Sequence, residues 1–324
     1  MDLKDRKLIY LLDLNSRTKE IDLARQLKTS KQVINYRIKR LESEKIIKKF
    51  QVVINLDRLG IGVYANVYFK ILGTSKSKEE EIINYLINND NVGYVALLGG
   101  RFDLSIVLVA KNIQQLEENL NKIINKYQEE LREHIISLRT FGVKFPKKYL
   151  LERGIETKGI LTKEISLEKI DEIDKRILNA LSQNSRLSIV DISDKLKIPF
   201  STVRTRIKSL ENKGVIAGYS ILPDLNKLNM SNYKLFIKVK DKSEEVYKKL
   251  LSFSETHKNV IWFFKTLGDH DYELRIEAES QEKYQEIVKE IRFKFSQIIV
   301  ENETLMVFRE LKEDYSVILN SLKS

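Results

Sequence analysis

The chain has 324 residues, of which 42% are hydrophobic and 32% charged. This composition excludes a disordered or fibrous protein, and the length indicates about two to four domains of ~100 to 150 residues each. The absence of cysteine excludes disulfides, thiolate metal sites and cysteine nucleophiles. The net charge of +11 and the pI near 9.4 favour a polyanionic partner.

The amino-terminal segment does not resemble a secretory signal, because Asp13 interrupts its short apolar patch. Elsewhere no window approaches the ~18 consecutive apolar residues of a membrane span. We therefore expect a cytoplasmic protein with no membrane partner.

The sequence repeats itself at an offset of 169 residues, since Asp5 to Leu59 aligns without a gap on Asp174 to Leu228. Such a long period indicates two complete units in series rather than a solenoid, whose repeats span ~20 to 50 residues. We expect each unit to contain a winged helix-turn-helix head followed by a ferredoxin-like domain. The expected ranges are 1–60 and 170–229 for the heads, 61–145 and 230–324 for the ferredoxin-like domains, and 146–169 for a connector.

The first head is expected to contain three helices and a wing. Two apolar faces predict the first two helices: Leu8, Ile9, Leu11 and Leu12 form one, and Ile21, Leu23, Ala24 and Leu27 the other. Ser30 can cap a third helix, whose buried stripe Ile34, Ile38 and Leu41 has helical spacing. Residues 46–54 are interpreted as a short hairpin, the wing.

The polar face of the third helix consists of residue types that read bases and bind phosphates. Asn and Gln pair with adenine, whereas Lys and Arg bind guanine or phosphate. Residues 30–49 carry seven basic and two acidic side chains. For an isolated helix, the alternative is a polar face that only contacts solvent. The duplicated three-helix pattern instead favours a helix that binds in the major groove of DNA. The predicted DNA contacts of this head are Lys31, Gln32, Asn35, Tyr36, Lys39 and Arg40.

The following segment alternates strands and helices in the order βαββαβ, the ferredoxin-like arrangement. The predicted elements are Val63–Ile71, Glu79–Asn88, Val92–Leu98, Phe102–Val109, Ile113–Tyr127 and His134–Val143. The second copy follows the same order from Tyr233 to Val307. Helices cover one face of such a sheet, so we expect the other face to pair with the second copy or with another chain.

The second head repeats the three-helix pattern. Its third helix begins near Pro199 and ends at Gly214, and residues 215–222 are its expected wing. The predicted DNA contacts here are Ser201, Arg204, Thr205 and Lys208. Because these side chains differ from those of the first head, we expect the two heads to prefer different half-sites.

Three stretches of the second half carry a family resemblance. They are Ile173-Asp174-Lys175-Arg176-Ile177-Leu178, then Ser201 to Glu211 followed by Gly214-Val215-Ile216, and finally Gly268-Asp269-His270-Asp271-Tyr272. Together they resemble the Lrp/AsnC family of transcription regulators, in which a winged helix-turn-helix precedes a ferredoxin-like ligand-sensing domain. The first half departs from the pattern, because Lys45 replaces the glycine before the wing and its loop Gly99 to Asp103 lacks the leading aspartate.

The resemblance implies an α+β protein that binds double-stranded DNA, forms dimers or higher oligomers and responds to an amino acid or another small effector. In this tandem chain it implies a dimer-like pairing within one chain, with further homo-oligomers expected. It also implies that Gly268, Asp269, His270 and Asp271 bind the effector. The alternative is that these residues only form a tight hairpin turn.

Two other functions stay open. Some siroheme decarboxylases resemble this family in fold, but they need histidines around a large tetrapyrrole, and His134, His257 and His270 are scattered along the chain. An architectural protein that binds nucleic acid by charge alone is the other alternative. We expect a regulator with no catalytic residues, no metal site and no cofactor.

Overall fold

The computed structural model describes residues 1–151, 160–161, 167–316 and 319. In the first half the elements are α1 (Leu3–Leu14), α2 (Glu20–Gln26), α3 (Lys31–Ser43), β1 (Ile47–Ile54), β2 (Val63–Phe69), α4 (Lys76–Ile87), β3 (Val92–Gly99), β4 (Leu104–Ala110), α5 (Ile113–Lys126), β5 (His134–Lys144) and β6 (Ile160–Leu161). In the second half they are α6 (Glu172–Gln183), α7 (Ile189–Leu196), α8 (Phe200–Asn212), β7 (Ile216–Pro223), β8 (Ser231–Val239), α9 (Glu244–Thr256), β9 (Val260–Gly268), β10 (Tyr272–Ala278), α10 (Gln281–Lys294) and β11 (Ile299–Glu313).

Four of the six helices in the heads begin at a residue whose side chain accepts a hydrogen bond from a free backbone amide. The exceptions are α2 and α8. Asp2 and Asp171 form equivalent capping boxes at α1 and α6, and Ser30 accepts from the Val33 amide at α3, as predicted. The buried stripe of α3 is also confirmed, because Ile34, Ile38 and Leu41 are at most 5% exposed. The prediction was wrong for Ile21, which is 51% exposed because it points away from the short α2 core.

The two predicted wings are not hairpins. Residues 47–54 form the single strand β1, which pairs antiparallel with β7 of the other half. The run contains no Gly, Pro, Asn or Asp to form a turn, so the chain stays extended and finds its ladder partner in the second copy. Gln51 lies opposite Ser220, and these positions are equivalent in the repeat. A pseudo-twofold axis therefore passes through this two-stranded ribbon.

The predicted βαββαβ order is confirmed in both halves, and the α+β class with it. Each four-stranded sheet has the ferredoxin-like order, β5-β2-β4-β3 in the first half and β11-β8-β10-β9 in the second. The sheet edges then pair across the halves, β3 with β11 and β5 with β9. These pairings close a ring of eight strands, so the two copies pair with each other within the chain. We call this ring the barrel.

Charged groups from both halves meet inside the barrel. Lys234 and Glu273, each at most 1% exposed, form an ion pair of 2.9 Å. Glu273 also accepts hydrogen bonds from Asn66 (2.7 Å) and Tyr68 (2.6 Å) of the first half. Burial alone would raise the pKa of Glu273, but Lys234 and Arg139 lower it to about 2. A buried ion pair adds little net stability but makes wrong pairings costly, so this network favours one register between the halves.

A second buried cluster connects the barrel to the first head. Lys144, at the end of β5, donates to Asp13 of α1 over 2.8 Å, and Ser220 of β7 donates to the same carboxylate oxygen over 2.9 Å. The Lys147 amide donates to the other oxygen over 3.0 Å. Despite burial, these lysines hold the pKa of Asp13 below its usual value.

Only part of the expected connector lies in the described ranges. Lys148–Leu150 form a short 3₁₀ turn and β6 pairs with the end of β5. Residues 152–159 and 162–166 lie outside the described residues. Among the helices that the structure describes, none has the length and apolarity needed to cross a membrane.

Candidate nucleic-acid interface

The exposed face of α3 presents five of the six predicted contacts of the first head. Lys31, Gln32, Asn35, Tyr36 and Lys39 are all exposed, and the Tyr36 side chain is 64% exposed. Within the described ranges their polar side-chain atoms form no hydrogen bond or ion pair with the protein. Free donors and acceptors on one helix face are available to bases and phosphates.

Arg40, the sixth predicted contact, is engaged inside the head. Its guanidinium lies 2.5 Å from a carboxylate oxygen of Asp5 on α1 and 3.9 Å from Glu44. Arg37 contacts Asp5 as well, at 2.6 Å. Arg40 therefore fixes α3 against α1, and contact with DNA by this residue stays a prediction.

The second head repeats part of this arrangement. Arg206, the equivalent of Arg37, contacts Asp171 at 2.8 Å and Asp174 at 3.2 Å. The available sequence signal for these ion pairs was the recurrence of an acidic pair at the start of the first helix and of an arginine in the third. The aligned repeat makes Arg37 and Arg206 equivalent, but it does not indicate their partners.

The exposed face of α8 presents the four predicted contacts of the second head. Ser201, Arg204, Thr205 and Lys208 are exposed, and none of them has a hydrogen bond or ion pair to another described residue. On the opposite side Val203, Ile207 and Leu210 are buried. Both third helices thus have a core stripe and an unoccupied polar face.

Reciprocal contacts hold the two heads together. The Ser16 and Ser185 hydroxyls, equivalent in the repeat, are 2.7 Å apart and buried. Arg17 donates to the carbonyl of Leu187 (3.1 Å), and Arg186 donates to that of Thr18 (3.2 Å). Each arginine also lies over an aromatic ring of the ribbon, Arg17 at 5.2 Å from the Tyr219 centroid and Arg186 at 5.5 Å from that of Phe50.

These contacts place the two polar helix faces about the same pseudo-twofold axis as the ribbon. A dimeric helix-turn-helix protein uses such symmetry to reach two half-sites of one duplex. The sequence had shown the recurrence of Asn15-Ser16-Arg17 as Asn184-Ser185-Arg186, but not that the two copies contact each other.

The four predicted effector residues are Gly268 at the end of β9 and the three residues of the loop that leads to β10, and a close approach requires the glycine. A Cβ on Gly268 would lie 2.4 Å from the carbonyl oxygen of Ile136 on β5, and its φ of +145° disfavours other residues. Asp271 accepts from the Val239 amide (2.9 Å) and pairs with Lys242 (2.6 Å). In the first half Asp103 accepts from the Ile71 amide in the same way (2.9 Å).

The other two predicted effector residues also have partners within the protein. Asp269 is 3.8 Å from Arg101 of the first-half loop. The His270 ring is stacked on Phe236 at 3.9 Å and is 2% exposed, and burial lowers its pKa to about 4. These contacts are typical of a structural turn, and the contact of Asp269 with Arg101 joins the two halves. Effector binding by Gly268, Asp269, His270 and Asp271 stays a prediction.

The three histidines lie on different elements: His134 begins β5, His257 follows α9 and His270 is in the β9–β10 loop. No group of three or more His, Asp or Glu side chains with the geometry of a metal site occurs in the described part of the chain.

Comparison with known proteins assigns both kinds of domain. A family model described as winged helix-turn-helix DNA-binding matches residues 1–48 and 170–217. The model of the Lrp/AsnC ligand binding domain matches residues 234–317. The transcriptional regulator LrpC of Bacillus subtilis is 29% identical over 120 residues, which cover 37% of this chain and 82% of LrpC. LrpB of the same organism is 28% identical over 153 residues, 47% of this chain and 98% of LrpB.

A solved structure shares the tandem architecture. The siroheme decarboxylase NirDL superposes with a TM-score of 0.64 over 98% of this chain and 97% of its own, at 14% sequence identity. At this identity the likeness shows a common fold. With two helix-turn-helix matches, a matching ligand-binding domain and relatives that are Lrp-type regulators, the chain belongs to the Lrp/AsnC family of transcription regulators.

Proposed function

We propose that the protein is a sequence-specific transcription regulator that binds double-stranded DNA with both heads. The observation that carries this proposal is the pair of exposed, unbonded polar faces on α3 and α8, held about one pseudo-twofold axis. Lys31 and Lys39 supply phosphate contacts, while Asn35 and Arg204 supply base contacts.

The operator is proposed to be asymmetric. The face of α3 offers Gln32, Asn35 and Tyr36, whereas the face of α8 offers Arg204 and Thr205 at a related place. Amide side chains favour adenine and arginine favours guanine. The two half-sites should therefore differ in sequence although the heads are related by symmetry.

Selection of bound sequences from a random DNA library tests both the sequence-specific binding and the asymmetric operator. The affinity for the selected sequence is then compared with that for scrambled DNA at several salt concentrations. We expect a motif with two unlike halves, bound at least ~10³-fold more tightly than scrambled DNA. No enriched motif, with affinity that falls uniformly as salt rises, would indicate an architectural binder instead. A perfect inverted repeat would contradict the asymmetric operator.

We further propose that a small effector regulates DNA binding, with an amino acid as the class that the family implies. Homo-oligomers of the tandem chain and a cytoplasmic location belong to the same proposal. Dynamic light scattering with and without each of the twenty amino acids would test assembly and effector together. An unchanged particle size and unchanged operator affinity would argue against both.

The competing proposal is a siroheme-decarboxylase-like enzyme, since NirDL shares the tandem fold. We propose that this chain does not catalyse that reaction. Titration of the chain with siroheme, followed by the Soret absorbance, distinguishes the two functions. Stoichiometric binding together with loss of siroheme carboxylates would overturn the proposed regulator.

A further inference from the structure

A cavity of about 430 Å³ lies where the ribbon meets one end of the barrel. Its walls come from β1, β5, β9 and the segment after β11, and Ser182 of α6 reaches it from the second head. The volume is within the ~300 to 1,000 Å³ range of small-molecule sites. This cavity is remote from the β9–β10 loop, because Trp262 lies near the start of β9 and the loop follows its end.

The repeat explains why the cavity exists at this place. Asp13, Lys144 and Ser220 fill one side of the head–barrel junction with their hydrogen-bonded cluster. Under the 169-residue offset their equivalents are Ser182, Glu313 and Gln51, and all three line the cavity. The carboxylate and the cation of the first cluster have thus become a hydroxyl and a carboxyl, which cannot form the same ion pair.

Aromatic side chains form much of the cavity wall. Trp262 and Phe264 stack with centroids 5.3 Å apart, and Tyr64 and Tyr315 also line the space. Such a surface binds flat or aliphatic groups and attracts cations through the negative ring faces.

The charges of the lining leave two carboxyls without a partner. Asp57 and Glu313 both face the cavity, and neither forms a hydrogen bond or ion pair within the described residues. Burial raises the pKa of Asp57 to about 6. Burial and the neighbouring Glu310 raise the pKa of Glu313 as well. Carboxyls in this state gain from any cation that enters the cavity.

Three of the five cations of the lining are paired with carboxylates. Lys49 pairs with Asp314 (3.0 Å), Lys144 with Asp13 (2.8 Å) and Arg275 with Glu310. Arg139 donates to Asn66 (2.7 Å) and lies 4.0 Å from the Phe264 ring centroid. Lys111 also belongs to the lining but is exposed, so solvent screens its charge. Asp57 and Glu313 are therefore the carboxyls of the lining that have no cationic partner among the described residues.

From this arrangement we infer that the cavity is a binding site for an organic amine with an aromatic or aliphatic body. The ammonium group pairs with Asp57 or with Glu313, and the body packs on Trp262 and Phe264. The inference goes beyond the proposed function, because it names a site and a ligand chemistry that DNA binding does not require.

The chain offers a direct reporter, because Trp262 is its single tryptophan. The full chain is titrated with 2-phenylethylamine, with excitation of tryptophan alone, and in parallel with 3-phenylpropanoate, which has a similar body and the opposite charge. We expect a saturable change of fluorescence with the amine at a dissociation constant below about 1 mM, and at least ~10-fold weaker binding of the anion.

Two variants locate the ammonium group. D57N and E313Q keep the shape of each side chain and remove its charge. The variant that removes the carboxylate paired with the ammonium group should weaken amine binding at least ~10-fold, as expected for loss of a desolvated ion pair. The matched control is E301Q on β11, whose carboxylate pairs with exposed Lys238 at 3.2 Å and lies outside the cavity lining. Its affinity should equal that of the unchanged chain.

Equal or tighter binding of 3-phenylpropanoate would overturn the inference, and so would the absence of saturation with the amine up to about 10 mM. Unchanged amine affinity in both D57N and E313Q would overturn it as well. The comparison of the two probes uses the unchanged chain, so it holds even if a variant fails to fold. Since no DNA is present, the outcome is independent of the proposed function.

Discussion

His270 occupies in the second half the place that Phe102 holds in the first. Both follow the turn glycine by two residues, both are at most 2% exposed, and both rings approach Tyr68, at 6.3 Å and 5.9 Å between centroids. One loop thus buries a hydrocarbon ring and the other a titratable one. The buried Nδ1 of His270 has no hydrogen-bond partner among the described residues, so protonation there is unfavourable.

This residue should make the fold sensitive to acid. The pKa of His270 is lowered to about 4 by burial, whereas the unfolded chain takes up the proton near pH 6.5. The unfolded state binds more protons between these values, so stability is complete above pH 6.5 and is lost as the pH falls towards 4. The linked loss at pH 4.5 is about 2 to 3 kcal/mol.

We therefore predict that H270F, which copies the first half, reduces the pH dependence of stability. Urea unfolding at pH 7.5 and pH 4.5 measures it. The free energy of unfolding of the unchanged chain should fall by about 2 to 3 kcal/mol more than that of H270F between these pH values. Glu273 does not obscure the difference, because its pKa is lowered to about 2 and its contribution is lost mainly below pH 4.5. Equal pH slopes would show that His270 is protonated in the folded chain.

At the scale of elements, α3 and α8 each use different side chains for base contacts and for phosphate contacts. Arg204 and Lys208 lie one turn apart on the exposed face of α8. Arginine reads guanine through two parallel hydrogen bonds, whereas lysine meets phosphate as a point charge. The same distinction applies to Asn35 and Lys39 on α3.

We predict different consequences for R204A and K208A on the selected operator. R204A should cost about 1 to 3 kcal/mol of binding free energy and relax the preference at one base pair of the second half-site. K208A should weaken operator and scrambled DNA alike and lower the salt slope by about one. Fluorescence anisotropy at several salt concentrations measures both. If R204A weakened all sequences equally, α8 would not read bases.

The sequence predicted the helices and strands well where the hydrophobic pattern lies within a single element. The stripe Ile34, Ile38 and Leu41 has helical spacing, and the βαββαβ order follows from alternating strands and helices. The wings could not be predicted in the same way, because β1 and β7 satisfy their backbone groups only across the repeat. A lone extended run looks the same whether its ladder partner is four residues or 170 residues away.

The candidate site, too, was predicted only in part. Exposure of Gln32, Asn35 and Arg204 follows from their position opposite a buried stripe, which periodicity reveals. The engagement of Arg40 by Asp5 depends on how α3 crosses α1, and the link from Asn66 to Glu273 joins residues 207 positions apart. No local pattern carries that information, because the contacts arise only when the barrel closes.

For the whole molecule, the reciprocal contacts of Arg17 and Arg186 set one spacing between the heads. A duplex turns once in about 10 base pairs, so half-sites are presented on one face only at defined separations. The operator should therefore be intolerant of changes in the distance between its halves.

We predict that inserting 5 base pairs between the half-sites lowers affinity at least ~10²-fold, because the second half-site then faces away from its head. Inserting the same number outside both half-sites is the control and should change nothing. The double variant R17A/R186A, which loosens the joint, should recover part of the loss. Equal binding to both operators by the unchanged chain would mean that the heads bind independently.

The closed barrel also determines how the active form depends on gene expression. A dimer of separate chains dissociates on dilution, so at low levels its amount rises as the square of the chain concentration. Here both halves of the barrel are joined by the backbone, and closing the ring is an intramolecular step. The number of complete heads-and-barrel units is then proportional to the number of chains synthesised, even when a cell holds only a few copies.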